Sequence, residues 1–126
     1  QGKNIDDAKR IIDDAKAVER AGAFAVVLEC VPTPLATYIT EILSIPTIGI
    51  GAGNGCDGQV LVYQDMLGMF SDYTPKFVKK YADAGTFMRQ AFTDYINETK
   101  SGAFPSEEHC FKIDEDVMEK VMEEEK

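Results

Sequence analysis

The sequence predicts an α/β protein built on parallel strands, and three observations carry that prediction. Residues 5–21 repeat apolar side chains at helical spacing. Two short apolar runs follow, at 24–28 and 47–51, with a helical stripe between them. Strand, helix and strand within about 28 residues make a βαβ unit, whose strands run parallel and whose crossover is right-handed.

In the first helix Ala8, Ile11, Ile12, Ala15 and Val18 share one face and Asp, Lys and Arg fill the other. Asn4 is suited to cap its start, Asp6 and Asp7 lie in its first turn, and Gly22 is a natural stop. Phe24-Ala25-Val26-Val27-Leu28 is apolar at every position, which predicts a strand buried on both faces. It runs out in Glu29-Cys30-Val31-Pro32. Pro34 suits the first position of a second helix, whose stripe is Leu35, Tyr38, Ile39, Ile42 and Leu43. Ile45-Pro46 closes it, and Thr47-Ile48-Gly49-Ile50-Gly51 reads as a second buried strand. After the glycine-rich loop Ala52-Gly53-Asn54-Gly55, the stretch Asp57-Gly58-Gln59-Val60-Leu61-Val62 reads as the next helix start, with Asp57 as its cap. Residues 75–99 read as a longer helix bent near Gly85, 101–105 as a loop, and 114–125 as an acidic helix with Val117, Met118, Val121 and Met122 on one side.

The length of 126 residues is that of one domain, and a chain of this mass should bury roughly 67% of its unfolded surface around one core. Thirteen basic against 22 acidic residues give a net charge of −9, which argues against binding nucleic acid or an anionic membrane. No apolar run approaches the roughly 20 residues of a membrane span. Three widely spaced cysteines, Cys30, Cys56 and Cys110, form no C-x-x-C pair and fit a reducing, cytoplasmic setting. The chain opens at Gln1-Gly2-Lys3-Asn4 directly on a helix-start signal, as a cut edge inside a longer protein would.

Glu29 is the first candidate for chemistry. It stands at the carboxyl end of a strand in a βαβ unit, where α/β folds place ligands and catalytic groups. A carboxylate backed by apolar neighbours can serve as general base or acid. The plainer reading is a solvated strand end. Gly49, Gly51, Gly53 and Gly55 alternate, but the dinucleotide pattern G-x-G-x-x-G fails at Asn54 and a phosphate-loop pattern fails at Gln59. Those glycines either let a ligand approach the backbone, beside free N–H groups of a following helix, or serve a tight turn at a crowded rim. His109 has no second histidine to share a metal with, and reads as structural or surface.

Taken in order, Val27-Leu28-Glu29-Cys30-Val31-Pro32, Leu35-Ala36, Ile39-Thr40, Ile45-Pro46-Thr47-Ile48-Gly49-Ile50-Gly51-Ala52-Gly53, Asp57-Gly58-Gln59-Val60-Leu61-Val62 and Asp65-Met66-Leu67-Gly68 resemble ketopantoate hydroxymethyltransferase. Pro75-Lys76-Phe77 and Phe104-Pro105-Ser106-Glu107-Glu108-His109 resemble a later segment of that family. The resemblance covers residues 1 to about 111. It implies the C-terminal half of a (β/α)8 barrel over 1–111, holding the seventh and eighth strands, and leaves 112–126 as an acidic tail helix.

The resemblance further implies transfer of a hydroxymethyl group from 5,10-methylenetetrahydrofolate to 3-methyl-2-oxobutanoate with Mg²⁺. Glu29 matches the family's general base. Gly51 and Gly53 become a wall of the substrate and folate pocket. The family's metal carboxylates (two Asp and a Glu), its substrate-binding Ser and Lys and its active-site His lie on earlier strands, so this chain is expected to hold no metal ligand. Gln64 stands where the family often has His. The implied partners are the keto acid, the folate, the N-terminal half of the barrel in cis or as another chain, and further copies in a homo-oligomer, with the tail docking on a neighbour. The isolated chain is then expected to be inactive. A second reading is a non-catalytic half-barrel module kept for assembly, since two parallel strands leave open edges prone to pairing.

Overall fold

Asn4 starts the first helix, α1 (Ile5–Arg20): its side-chain oxygen accepts the Asp7 N–H at 2.8 Å, and Asp6 and Asp7 lie in the positive first turn. Gly22, at φ +90°, turns the chain out of the helix in a conformation that side chains resist. The computed structural model describes residues 2–69 and 73–125. The chain divides into two compact units, Gln1–Gly85 and Thr86–Lys126.

In the first unit β1 (Val26–Glu29), α2 (Thr33–Ile42) and β2 (Thr47–Ile50) form the expected βαβ unit, and β3 (Gly58–Gln59) adds a third strand. The sheet order is β1-β2-β3 and both pairings are parallel, with Glu29 opposite Ile50 and Ile48 opposite Gly58. Three parallel strands in chain order, with α2 between the first two and only a loop between the second and third, are compatible with an arc of a (β/α)8 barrel. The core is small: Ala15 of α1, Leu28 of β1, Val31, Ala36 and Ile39 of α2, and Ala52, with Ile11, Ile12, Val26 and Leu35 packed against it.

Several expectations are corrected. β1 is buried on one face only, for Leu28 is in the core while Val27 is 59% exposed; Phe24, 92% exposed, lies before the strand. α1 and α2 supply core neighbours on the Leu28 side, and nothing among the described residues covers the other. Uniform apolarity had predicted two covered faces. Residues 57–62 do not begin a helix. The Asp57 carboxylate instead accepts the Thr47 N–H at 2.9 Å and the Thr47 hydroxyl at 3.2 Å, and the Val60 N–H donates to the Gly49 carbonyl. Thr47 is fully buried and its hydroxyl also meets that of Thr40 at 2.7 Å. Bonds to a neighbouring strand thus outcompete the local capping role that suited Asp57. The next helix, α3 (Tyr63–Met66), is a single turn.

The long helix expected over 75–99 is α4 (Ala84–Ser101). The Val78 N–H closes a local turn on the Pro75 carbonyl, and the Tyr81, Ala84 and Gly85 N–H groups donate to the carbonyls of Met66, Leu67 and Gly68, so the chain entering α4 pairs with that segment. Gly85 is therefore in the first turn and marks no bend. Pro34 is the second residue of α2, one place later than expected.

In the second unit Phe104 stacks against Tyr95 at 5.6 Å and against His109 at 5.1 Å between ring centres. A short 3-10 turn, Glu107–His109, and α5 (Glu115–Glu124) complete it. No described residue of 86–126 is buried, and Val117, Met118, Val121 and Met122 of α5 are exposed. Among the described residues no helix is long and apolar enough to cross a membrane.

Candidate active site

The carboxyl ends of the strands hold the candidate residues. Glu29 is the last residue of β1 and is exposed. Directly after it Cys30 takes φ +54°, the one non-glycine positive φ among the described residues, and its N–H donates to the Ile50 carbonyl at 2.9 Å. That conformation costs about 1–2 kcal/mol in a side-chain-bearing residue. It turns the chain off the sheet at once toward α2, and leaves the Glu29 carboxylate on the rim.

Gly51 and Gly53 both have left-handed φ, +64° and +81°. A Cβ on Gly51 would stand 2.9 Å from the Phe77 ring, and Cβ atoms on Gly53 and Gly55 would collide with the Thr33 and Thr37 side chains. The alternating glycines thus let the loop lie directly on the first turns of α2 and under Phe77. No helix start follows them, so the N–H groups expected from one are absent from this loop. The Gln59 amide braces the loop from the other side, donating to the Gly53 carbonyl at 2.8 Å.

Two clefts open here. One of about 420 Å³ is lined by Gly51, Gln59, Met66, Phe77, Lys79 and Tyr81 among others, and one of about 490 Å³ by Gly51, Gly53, Asn54, Gln59 and Phe77. Three shared residues join them into one groove. The Lys79 ammonium lies 4.9 Å from the centre of the Tyr81 ring. Glu29 is not brought into this groove. It lines a separate cleft of about 240 Å³ beside α1, with Ile11, Asp14, Val27 and Val31, one strand away.

A family model described as Ketopantoate hydroxymethyltransferase matches residues 1–107. The chain belongs to the ketopantoate hydroxymethyltransferase family. It is 65% identical over 121 residues to the 3-methyl-2-oxobutanoate hydroxymethyltransferase of Clostridium novyi (strain NT), and 68% identical over 121 residues to that of Enterococcus faecalis (strain ATCC 700802 / V583). A third such relative, from Clostridium botulinum (strain Alaska E43 / Type E3), is 62% identical. Each alignment covers 96% of this chain and 44% of the relative, so the chain spans less than half the length of the curated relatives it matches.

His109 is exposed, and its Nδ1 meets the Ser106 hydroxyl at 2.7 Å in a local cap of the 3-10 turn. Among the described residues no three His, Cys, Asp or Glu side chains converge to hold a metal ion. Gln59, Phe77, Lys79 and Tyr81 were not singled out from sequence as site residues. Their signal was slight: a basic, aromatic segment, 76–81, in an acidic chain.

Proposed function

We propose that this chain carries the general base of a hydroxymethyltransferase that moves a one-carbon unit from 5,10-methylenetetrahydrofolate to 3-methyl-2-oxobutanoate, giving ketopantoate. The observation that carries the reading is Glu29 itself, a carboxylate on the rim of a parallel sheet at the strand end where barrel enzymes keep their reacting groups. The names of the relatives support the reaction. In it a Glu29 oxygen takes the C3 proton of the keto acid. The electron pair left on C3 then forms the carbon–carbon bond to the methylene carbon of the folate. Both C–N bonds of the methylene bridge break in the course of the transfer, and water supplies the hydroxyl oxygen. The C3 proton and one proton of water end on the two nitrogens of the released tetrahydrofolate. In this reading the groove beside Gly51 and Gly53 is the adjoining wall.

Magnesium is the metal the family resemblance implies. The described residues bring no three metal-binding side chains together to hold it. We assign turnover to an assembly in which the rest of the barrel is supplied, in cis or as another chain, within a cytoplasmic homo-oligomer.

The test is exchange of the keto acid's C3 proton in deuterated water, without folate, on the complete enzyme. Glu29→Gln removes the proton acceptor and keeps the shape. Exchange should fall by about 10²–10⁴-fold. Exchange at the wild-type rate would remove Glu29 from the role of base and favour the reading of this chain as an assembly module.

A further inference from the structure

Among the described residues with positive φ, six are glycines and one is not: Cys30, at φ +54°, directly after Glu29. A left-handed conformation is strained in a residue with a side chain, and such strain persists only where the surroundings enforce it. Two contacts enforce it here. The Cys30 N–H still completes the ladder of β1, donating to the Ile50 carbonyl at 2.9 Å. One residue later Val31 is buried in the core with Leu28, Ala36 and Ile39.

The turn decides which side chain stands beside Glu29. Side chains alternate along a strand, and Leu28 faces the core, so Val27 and Glu29 share the open face. A chain that stayed extended through Cys30 would place Val31, two residues on, beside Glu29 on that same face. The left-handed turn sends Val31 to the Leu28 side instead, and α2 starts at once, at Thr33. Val31 reaches the cleft beside β1 from the core side, as Leu28 does.

We propose that the left-handed turn at Cys30 is a positioning device for Glu29. It ends the strand one residue after the carboxylate and takes Val31 off the face that Glu29 presents, leaving room for the keto acid there. The role belongs to the backbone at Cys30 and not to its thiol. It rests on the reading of Glu29 as the base.

The complete enzyme is assayed for exchange of the keto acid's C3 proton per folded molecule, the folded fraction being read from circular dichroism. Cys30→Gly and Cys30→Asn remove the thiol and introduce residues that tolerate the left-handed region. Both should exchange within about threefold of wild type. Cys30→Val puts a β-branched residue where that conformation is least tolerated, and should lower exchange at least about tenfold. In the Glu29→Gln background the same substitution should lower exchange no further, because its effect passes through Glu29. Wild-type exchange in Cys30→Val, or an equal loss in all three variants, would overturn the proposal. So would a loss that persists undiminished in the Glu29→Gln background. Cys30→Thr, also β-branched, repeats the test if Cys30→Val does not fold. Failure of both to fold would overturn the proposal as well, the turn then serving folding alone. Failure of the Glu29 reading shows separately, as wild-type exchange in Glu29→Gln by itself.

Discussion

At Glu19 the last turn of α1 meets the chain leaving α2. One carboxylate oxygen accepts both the hydroxyl and the N–H of Ser44, each at 2.6 Å, and the hydroxyl bond foremost holds this carboxyl below its ordinary value. A group whose folded value is depressed stabilises the fold above its unfolded value, and that contribution is lost as pH falls through the folded value. We therefore expect Glu19→Gln to be less stable than wild type near neutrality, with the gap closing as the pH drops below the ordinary carboxylate range. Urea midpoints measured between pH 7 and pH 3 would show it; a gap constant with pH would remove the proton linkage. Asp57 shows the other side of residue-scale reasoning. Its composition suited a cap, and two hydrogen bonds to Thr47 made it a clasp between strands. Glu29 was legible because a charge ending an apolar run needs no partner to be noticed. Lys79 was not, because its meaning comes from Phe77, Tyr81 and Gly51 around it.

The elements divide by how local their causes are. α1 and α2 follow from caps, stripes and prolines within their own residues, and their bounds were readable to within a residue or two. β3 is two residues long and exists only because β2 lies beside it, so no window of sequence marks it. α4 starts nine residues later than its apolar pattern suggests, because residues 81–85 find their hydrogen-bond partners on 66–68. The glycine loop was visible as composition, but its reason is tertiary. Gly53→Ala should cost about 2–4 kcal/mol, since the new Cβ must take a left-handed φ and displace the Thr33 side chain as well. Gly22→Ala, equally left-handed with no atom within 4 Å of the new Cβ, should cost only about 1 kcal/mol. Chemical denaturation of the pair checks this: equal losses would mean that the loop yields to the side chain and does not rest firmly on α2.

On the scale of the whole chain, the parallel sheet is unfinished. Parallel sheets are stable with both faces covered and their edges paired, yet here Val27 stands exposed and β1 has no neighbour on its outer side among the described residues. We expect the 126-residue chain by itself to show no hydroxymethyl transfer, and to associate or unfold in sedimentation and circular dichroism at micromolar concentration. A stable, monodisperse monomer would mean that the three strands suffice as a domain. The order and spacing of its apolar runs and motifs determined the parallel α/β class, the family and the residue to propose as base, because those depend on covalent order and local periodicity. Which faces are covered, where the third strand lies, and that Lys79 shares a groove with Gly51 were decided only in the tertiary structure. Each of those depends on residues far apart in sequence competing for the same hydrogen bonds and the same space.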